Sequence, residues 1–200
     1  MPLLSFRIQR LDFDRGQTAI FTQQNYFDII LGWSGWNGNK YIDDIDLCVF
    51  YKNADNTTGG VFNRSYKGNK ETEGFLNCFP YVCYIGEERP NNKYNDEEIV
   101  RISKINTLTE LYIVAIDYFA AVNEQEPFSL PLFLDIEYEG MLPFLSIKVN
   151  RKESETGPIC LIASIKKDTN DNILVTNETK FYTVKKALES IPGFTQICNC

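Results

Sequence analysis

The chain has 200 residues, of which 44% are apolar and 24% charged, and its formal net charge is −7. These values are typical of one globular domain and exclude a disordered chain, a collagen and a coiled coil. The sequence contains no His, which excludes any Ser-His-Asp triad, imidazole base or His-ligated zinc site within the chain. An acidic surface repels phosphate backbones, so no nucleic-acid partner is expected.

In chain order, short segments rich in Ile, Val, Phe and Tyr alternate with turn-forming segments, a pattern typical of strands. The connectors NADNTTGG and KDTNDN have the composition of turns. Only KKALESIPG predicts a helix, near residues 184 to 191, and its closing Pro and Gly would end that helix. The spacing predicts an all-β fold, a β-sandwich of two antiparallel sheets with about ten strands and short helical pieces. The predicted strands lie in TAIFTQQNYFDIILGW (two strands), IDLCVFYKN, FPYVCYIG, EIVRISKI, ELYIVAIDYF, LPLFLDIEYEG, FLSIKVNRK, GPICLIASIKKD and NILVTNETKFYTV.

The organisation of the chain is predicted to be simple, with one domain over residues 1–195 and a C-terminal tail over 196–200. The first residues, MPLLSFRIQR, lack the basic and apolar regions of a signal peptide, which favours a cytoplasmic location. No apolar run approaches the ~20 residues of a membrane helix, so no membrane span is expected. Cys48 and Cys160 stand in apolar strand segments and are predicted to be buried thiols.

A first acidic cluster stands in the segment YIDDIDLCVF, as Asp43, Asp44 and Asp46. On a strand, residues two apart project to the same face, which brings the carboxylates of Asp44 and Asp46 close together. Oxygen ligands without soft donors are the pattern of a hard cation. The alternative interpretation is a solvated strand start, and the Asp-x-Asp pattern alone favours that alternative.

A second acidic cluster is the loop GEERPNNKYNDEE, residues 86–98. A long polar loop of this kind can fold around calcium with side-chain and backbone oxygens. Its alternative is a solvated turn between two strands. Its acidic residues are Glu87, Glu88, Asp96, Glu97 and Glu98.

A third segment, DTNDNILVTNET, begins at Asp168 and superficially resembles an EF-hand loop. Ile173 stands where that loop requires Gly, and Thr179 stands where it requires a bidentate Glu. This segment is therefore predicted to be a hairpin turn.

Four features in order along residues 4 to 190 resemble the tellurium-resistance and stress-response TerD family. They are LGW at Leu31 to Trp33, IDDIDLCVFY, GEERPNNKYNDEEIVRI and ELYIVAIDYFAAVNEQEPFSLPLFLDIEY. The loop resembles that family's Gly-Asp-Asn-Arg-Thr-Gly-Glu-Gly-Asp-Gly-Asp-Asp-Glu pattern. The types that match within it are Gly86, Arg89, Asp96 and Glu98.

The resemblance implies a β-sandwich that binds calcium at one end and has no established catalytic residues. Ile42, Asn92 and Tyr94 stand where the family has acidic residues, and fewer carboxylates weaken calcium binding. The chain is thus identified as a divergent member. The implied metal ligands are Asp44, Asp46, Glu87, Asp96, Glu97 and Glu98.

Three functional hypotheses remain open. The first is a non-catalytic, calcium-binding, stress-response module of the TerD type. The second is a structural or assembly protein of the same fold that has lost the metal site. In both, the expected partners are other proteins, through self-assembly or a larger complex, and peripheral membrane association is compatible with either. The third is a carboxylate-based enzyme, such as a glycosidase, which the missing nucleophile motifs make the weakest, so no enzymatic activity is expected.

Overall fold

The computed structural model describes residues 11–22, 26–33, 45–88, 96–105, 107–123, 131–138 and 145–198, with the backbone alone at 11, 12, 87, 88 and 96. Strands dominate this part of the chain, and its two α-helices are short. The strands are β1 (Leu11–Asp12), β2 (Thr18–Thr22), β3 (Phe27–Trp33), β4 (Ile45–Asn53), β5 (Thr58–Val61), β6 (Val82–Glu88), β7 (Asp96–Ile102), β8 (Leu108–Asp117), β9 (Leu132–Glu137), β10 (Leu145–Val149), β11 (Ile159–Lys167) and β12 (Asn172–Tyr182). The α-helices are α1 (Tyr118–Asn123) and α2 (Val184–Ser190), and 3-10 helices cover Arg64–Tyr66, Lys70–Glu73 and Phe194–Gln196.

The strands form two six-stranded sheets that face each other. Sheet 1 has the order β1-β10-β9-β3-β7-β6, and sheet 2 has the order β2-β12-β11-β8-β4-β5. Neighbouring strands are antiparallel, except that the two-residue β1 runs parallel to β10. The predicted all-β sandwich is confirmed.

The main hydrophobic core fills the space between the sheets. Alternate residues of β3, Phe27, Ile29 and Leu31, point into it from sheet 1, and Leu47 and Val49 of β4 meet them from sheet 2. This alternation follows from the two-residue side-chain period of a strand. Each of these five side chains is fully buried, so the sequence pattern fixes which face of each strand points inward.

A second hydrophobic core covers the outer face of sheet 2, the face turned away from sheet 1. Phe50 of β4 packs there against Phe194, with ring centroids 5.2 Å apart, and against Phe62 at 6.2 Å. Helix α2 adds Ala187, and the chain remains part of this layer as far as Ile197. Helix α2 coincides with the predicted helix near residues 184 to 191, and the hydroxyl of Thr183 caps it by accepting a hydrogen bond from the Lys186 N–H.

Two features of the fold differ from the sequence prediction. The segment NADNTTGG contains strand β5 as well as a turn, because its glycines make room for rings from β4. A Cβ on Gly59 would lie 2.3 Å from the Tyr51 ring, and one on Gly60 would lie 2.9 Å from the Phe50 ring. The end of ELYIVAIDYF is helix α1, which begins where an oxygen of Asp117 accepts a hydrogen bond from the Ala120 N–H at 2.9 Å.

The predicted turn at Asp168 is confirmed, since it joins the antiparallel strands β11 and β12. One carboxylate oxygen of Asp168 accepts hydrogen bonds from the N–H groups of Asn170 and Asn172, which closes the turn. Cys48 and Cys160 are fully buried, as predicted. No helix within the described ranges is long and apolar enough to cross a bilayer.

Candidate functional site: the acidic end of the sandwich

Asp46 lies near the start of β4, on the outer face of sheet 2 together with Cys48 and Phe50. Its side chain is 8% exposed, and its Oδ2 accepts a hydrogen bond from the hydroxyl of Tyr66 at 2.5 Å. The 3-10 helix Arg64–Tyr66 positions this hydroxyl, and the Asn63 side chain caps that helix by accepting from the Ser65 N–H. The second hydrophobic core therefore encloses one carboxylate and its hydroxyl donor.

Glu98 lies on β7 and points to the inner face of sheet 1, in line with Val100 and Ile102. It is 1% exposed, and its Oε1 accepts a hydrogen bond from the hydroxyl of Tyr84 on β6 at 2.8 Å. Its Oε2 accepts a hydrogen bond from the Leu47 N–H on β4. Glu98 therefore joins the two sheets directly, at the residue that follows Asp46 in the chain.

The position of Leu47 explains why its N–H bonds a side chain. Strand β5 ends at Val61, which pairs with Val49, so Leu47 lies beyond the end of β5. A buried N–H without an acceptor is costly, and the carboxylate of Glu98 supplies the acceptor that a neighbouring strand would otherwise supply. We call the group of Asp46, Glu98 and their hydrogen-bond donors the acidic end.

The carboxylates of the acidic end contribute to raising the pKa of two weaker acids, the Cys48 thiol and the Tyr66 hydroxyl. Burial raises the pKa of the Cys48 thiol well above its ordinary value, and the carboxylates of Asp46 and Glu98 raise it further. Burial likewise raises the pKa of Tyr66, with further contributions from Cys48 and Asp46. A thiol in these surroundings stays protonated, and a protonated thiol is a poor nucleophile.

The structure describes the side chains of three of the six predicted ligands, Asp46, Glu97 and Glu98. Asp44 lies outside the described residues, and the side chains of Glu87 and Asp96 are not described, although the Glu87 backbone lies opposite Glu98 in the β6–β7 register. Glu97 alternates with Glu98 and points to the outer face of sheet 1, where it raises the pKa of Glu137 on β9. Within the described part of the chain, the carboxylates of Asp46 and Glu98 both act on the Cys48 thiol, and the residue after Asp46 donates its N–H to Glu98.

Tyr66 and Tyr84, the hydroxyl donors of the acidic end, were not found by reading the sequence. Tyr84 stands two residues after the core residue Val82 on β6, which indicates an inward side chain. Its hydroxyl also accepts a hydrogen bond from the Asn63 amide at 3.2 Å. Tyr66 stands in the turn-rich segment NRSYKG, whose composition gives no sign that a ring is buried there.

The donor chemistry of the acidic end fits a hard cation, because it consists of carboxylate and hydroxyl oxygens. Calcium takes six to eight oxygens, and the described residues contain no group of three His, Cys, Asp or Glu side chains arranged to hold a metal. A calcium ion here would therefore need Asp46 and Glu98 together with oxygens from the adjoining segments 41–44 and 87–96.

Comparisons with known proteins bear on the fold. No family model and no curated protein matches the chain. The crystal structure of SAV2460, described as a protein of unknown function, is similar with a TM-score of 0.53 at 8% identity, over 79% of this chain and 89% of that chain. At this identity, the likeness shows a shared fold alone.

A second solved structure is that of SCO6318 from Streptomyces coelicolor A3(2), described as a homologue of the telluride resistance protein TerD. It is similar with a TM-score of 0.49 at 8% identity, over 80% of this chain and 90% of that chain.

Proposed function

We propose that this protein is a non-catalytic stress-response module of the TerD type that binds calcium at the acidic end of its sandwich. The observation that carries the proposal is the hydrogen bond between Glu98 and the Leu47 N–H, because it joins the two acidic segments that resemble the TerD motifs. Asp46 and Glu98 would hold the ion with Asp44, Glu87 and Asp96. Bound calcium would offset the repulsion among carboxylates that burial strengthens.

The non-catalytic part of the proposal rests on the chemistry of the same residues. The chain has no His, and Cys48 at the acidic end is held protonated by its buried surroundings. Turnover of a glycoside, ester or nucleotide that is lost on changing Asp44 or Asp96 would contradict it. We propose protein partners rather than a substrate, in agreement with the net charge of −7 that disfavours nucleic acid.

Calcium titration followed by thermal unfolding tests the metal site. A ligand that binds only the folded state stabilises it by about 2.7 kcal/mol at a hundred times its dissociation constant, so millimolar calcium should raise the melting temperature. Magnesium should raise it less, because magnesium demands octahedral geometry. Asp46→Asn and Glu98→Gln should each reduce the calcium-dependent rise.

The matched control is Asp168→Asn, which removes a carboxylate from a turn far along the chain from the acidic end. This variant should keep the whole calcium-dependent rise. The rise is compared within each variant, so a general loss of stability does not affect the result. A melting temperature of the unaltered protein that does not respond to millimolar calcium would end the metal-binding proposal.

One observation favours a second candidate function, a metal-free assembly module of the same fold. Hydroxyl and N–H donors already reach three oxygens of the acidic end, from Tyr66, Tyr84 and Leu47. Hydrogen bonds to a carboxylate favour its charged form without a metal. If calcium has no effect and Tyr84→Phe destabilises the protein, this function takes first place.

A further inference from the structure

Two of the four sheet edges in the described part of the chain are short strands, and a third is covered at its start. Strand β1 has two residues. The start of β6 is covered by the Phe75 N–H, which donates to the Val82 carbonyl at 3.0 Å. Strand β5 has four residues, and Gly193 packs so closely on it that an added Cβ would lie 2.5 Å from the Gly59 carbonyl oxygen. Such coverage is how proteins prevent edge-to-edge association.

Strand β2, the fourth edge, turns backbone groups to the outside that pair with no backbone group among the described residues. The Asn177 N–H on β12 donates to the Gln17 carbonyl at 3.0 Å, which fixes the alternation of the β2–β12 ladder. Ala19 and Phe21 therefore direct their N–H and C=O groups toward β12. Thr18, Ile20 and Thr22 direct theirs toward the open side, and all three of these residues are exposed.

The composition of β2 also lacks the usual protection of an edge. Residues 16–25, GQTAIFTQQN, contain no charged residue and no Pro, although the chain as a whole has a net charge of −7. The register with β12 shows no bulge. Ile20, at the middle of the strand, is 64% exposed. A neutral edge of this kind can approach an identical edge without the repulsion that acidic surfaces would cause.

We propose that β2 pairs antiparallel with β2 of a second copy of this chain, around a two-fold axis at Ile20. Ile20 would lie opposite itself, and Thr18 opposite Thr22. About six backbone hydrogen bonds would then join two six-stranded sheets into one continuous sheet. The interface is self-complementary, as a two-fold dimer requires, because the threonines are placed symmetrically about Ile20.

Among the outward backbone groups of β2, the Thr22 carbonyl already accepts a hydrogen bond from a described side chain. Its donor is the Tyr138 hydroxyl, at 3.1 Å. A carbonyl oxygen has two lone pairs, so it can accept a second hydrogen bond from Thr18 of the other copy. The bond from Tyr138 therefore holds the end of β2 in place and remains compatible with pairing.

The mass of the protein in solution tests the dimer. Sedimentation of the full chain at micromolar concentration should give twice the 23.0 kDa of one chain. Ile20→Lys should give the mass of one chain, because two lysines would meet at the axis. The matched control is Val122→Lys on α1, where Val122 is 61% exposed, and it should keep the double mass. Circular dichroism checks that both variants are folded.

Cross-linking tests the register independently of mass, in a background where the exposed Cys78 is replaced by Ser. Ile20→Cys should form a disulfide between two copies, because opposite residues of such a pair lie about 5.5 Å apart at Cα. Thr18→Cys should link to Thr22→Cys when the two variants are mixed, and not to itself. A single-chain mass of the unaltered protein, a dimer that survives Ile20→Lys, or a Thr18 self-link would each overturn the proposal. None of these outcomes depends on calcium.

Discussion

The outer face of sheet 2 is covered by the second hydrophobic core over parts of β4, β8 and β11, whereas the outer face of sheet 1 carries charged side chains. The outer face of sheet 2 presents Phe50 and Val114 to the second hydrophobic core. The outer face of sheet 1 presents the ion pair of Asp28 with Arg101, and Glu137 beside it. The same sandwich therefore contains one sheet with an apolar outer region under a covering layer, and one whose outer face has a buried ion pair instead.

This difference is visible in the burial along single strands. The first seven residues of β4 are all buried, whereas β9 alternates between buried and half-buried residues from Leu132 to Glu137. A continuous apolar run indicates a strand covered on both faces, and an alternating one indicates a strand covered on a single face. IDLCVFY and LFLDIE thus differ because one lies between two cores and the other beside only one.

Removal of an aromatic ring from the covering layer should have the largest effect. Phe50→Ala leaves a cavity beside Phe62 and Phe194 in a fully buried site, and it should lower the free energy of unfolding by about 3–5 kcal/mol. Ile30→Ala on the half-buried outer face of sheet 1 is the control and should cost about 1 kcal/mol. Urea unfolding measures both. Equal losses would contradict the difference between the two outer faces.

Most of the fold followed from the sequence, because apolar periodicity sets which face of a strand is buried. IDLCVFYKN corresponds residue for residue to β4, and the predicted C-terminal helix to α2. What the sequence did not indicate was that α2 and the residues after it lie over sheet 2. That contact joins segments more than a hundred residues apart, and no local pattern specifies it. Strand β5 was missed because its two glycines resemble a turn.

The candidate site was predictable in part. Glu98 stands two residues before Val100 and four before Ile102, so the strand period places its carboxylate on the same inner face. The structure buries it there. Whether Glu98 and Asp46 share a metal stays a prediction. The hydroxyl of Tyr66 could not be foreseen, because its position depends on how the segment after β5 folds back over β4.

The ion pair on sheet 1 should have an intermediate effect. Asp28 accepts two hydrogen bonds from Arg101, at 2.7 and 2.8 Å, and only 6% of its side chain is exposed. Asp28→Asn should lower the free energy of unfolding by about 1.5–3 kcal/mol, the usual range for hydrogen bonds to charged groups. Glu73→Gln, which breaks the pair with the well-exposed Arg64, should cost at most about 1 kcal/mol. A smaller loss from Asp28→Asn than from Glu73→Gln would contradict this assignment.

The smallest predicted effect is a gain in stability. Glu137 lies directly opposite Asp28 in the β3–β9 register. Partial burial raises the pKa of Glu137 above its ordinary value, and the carboxylates of Asp28, Asp135 and Glu97 raise it further. A raised pKa in the folded state means that ionised Glu137 destabilises the fold. This cost is absent below the ordinary pKa and grows as the pH rises through the folded-state value.

Glu137→Gln should therefore raise the free energy of unfolding at neutral pH by about 0.2–1 kcal/mol, the range for a like-charge pair across two strands. Because the unaltered side chain is protonated in both states below its ordinary pKa, the two proteins should become equally stable in acid. Glu110→Gln is the control on sheet 2, where Glu110 pairs with Lys166, and it should give no gain. Melting temperatures between pH 3 and pH 8 measure the difference, since Glu has an ordinary pKa near 4.3. A gain from Glu137→Gln that is the same at every pH would mean that charge repulsion on sheet 1 is not its cause.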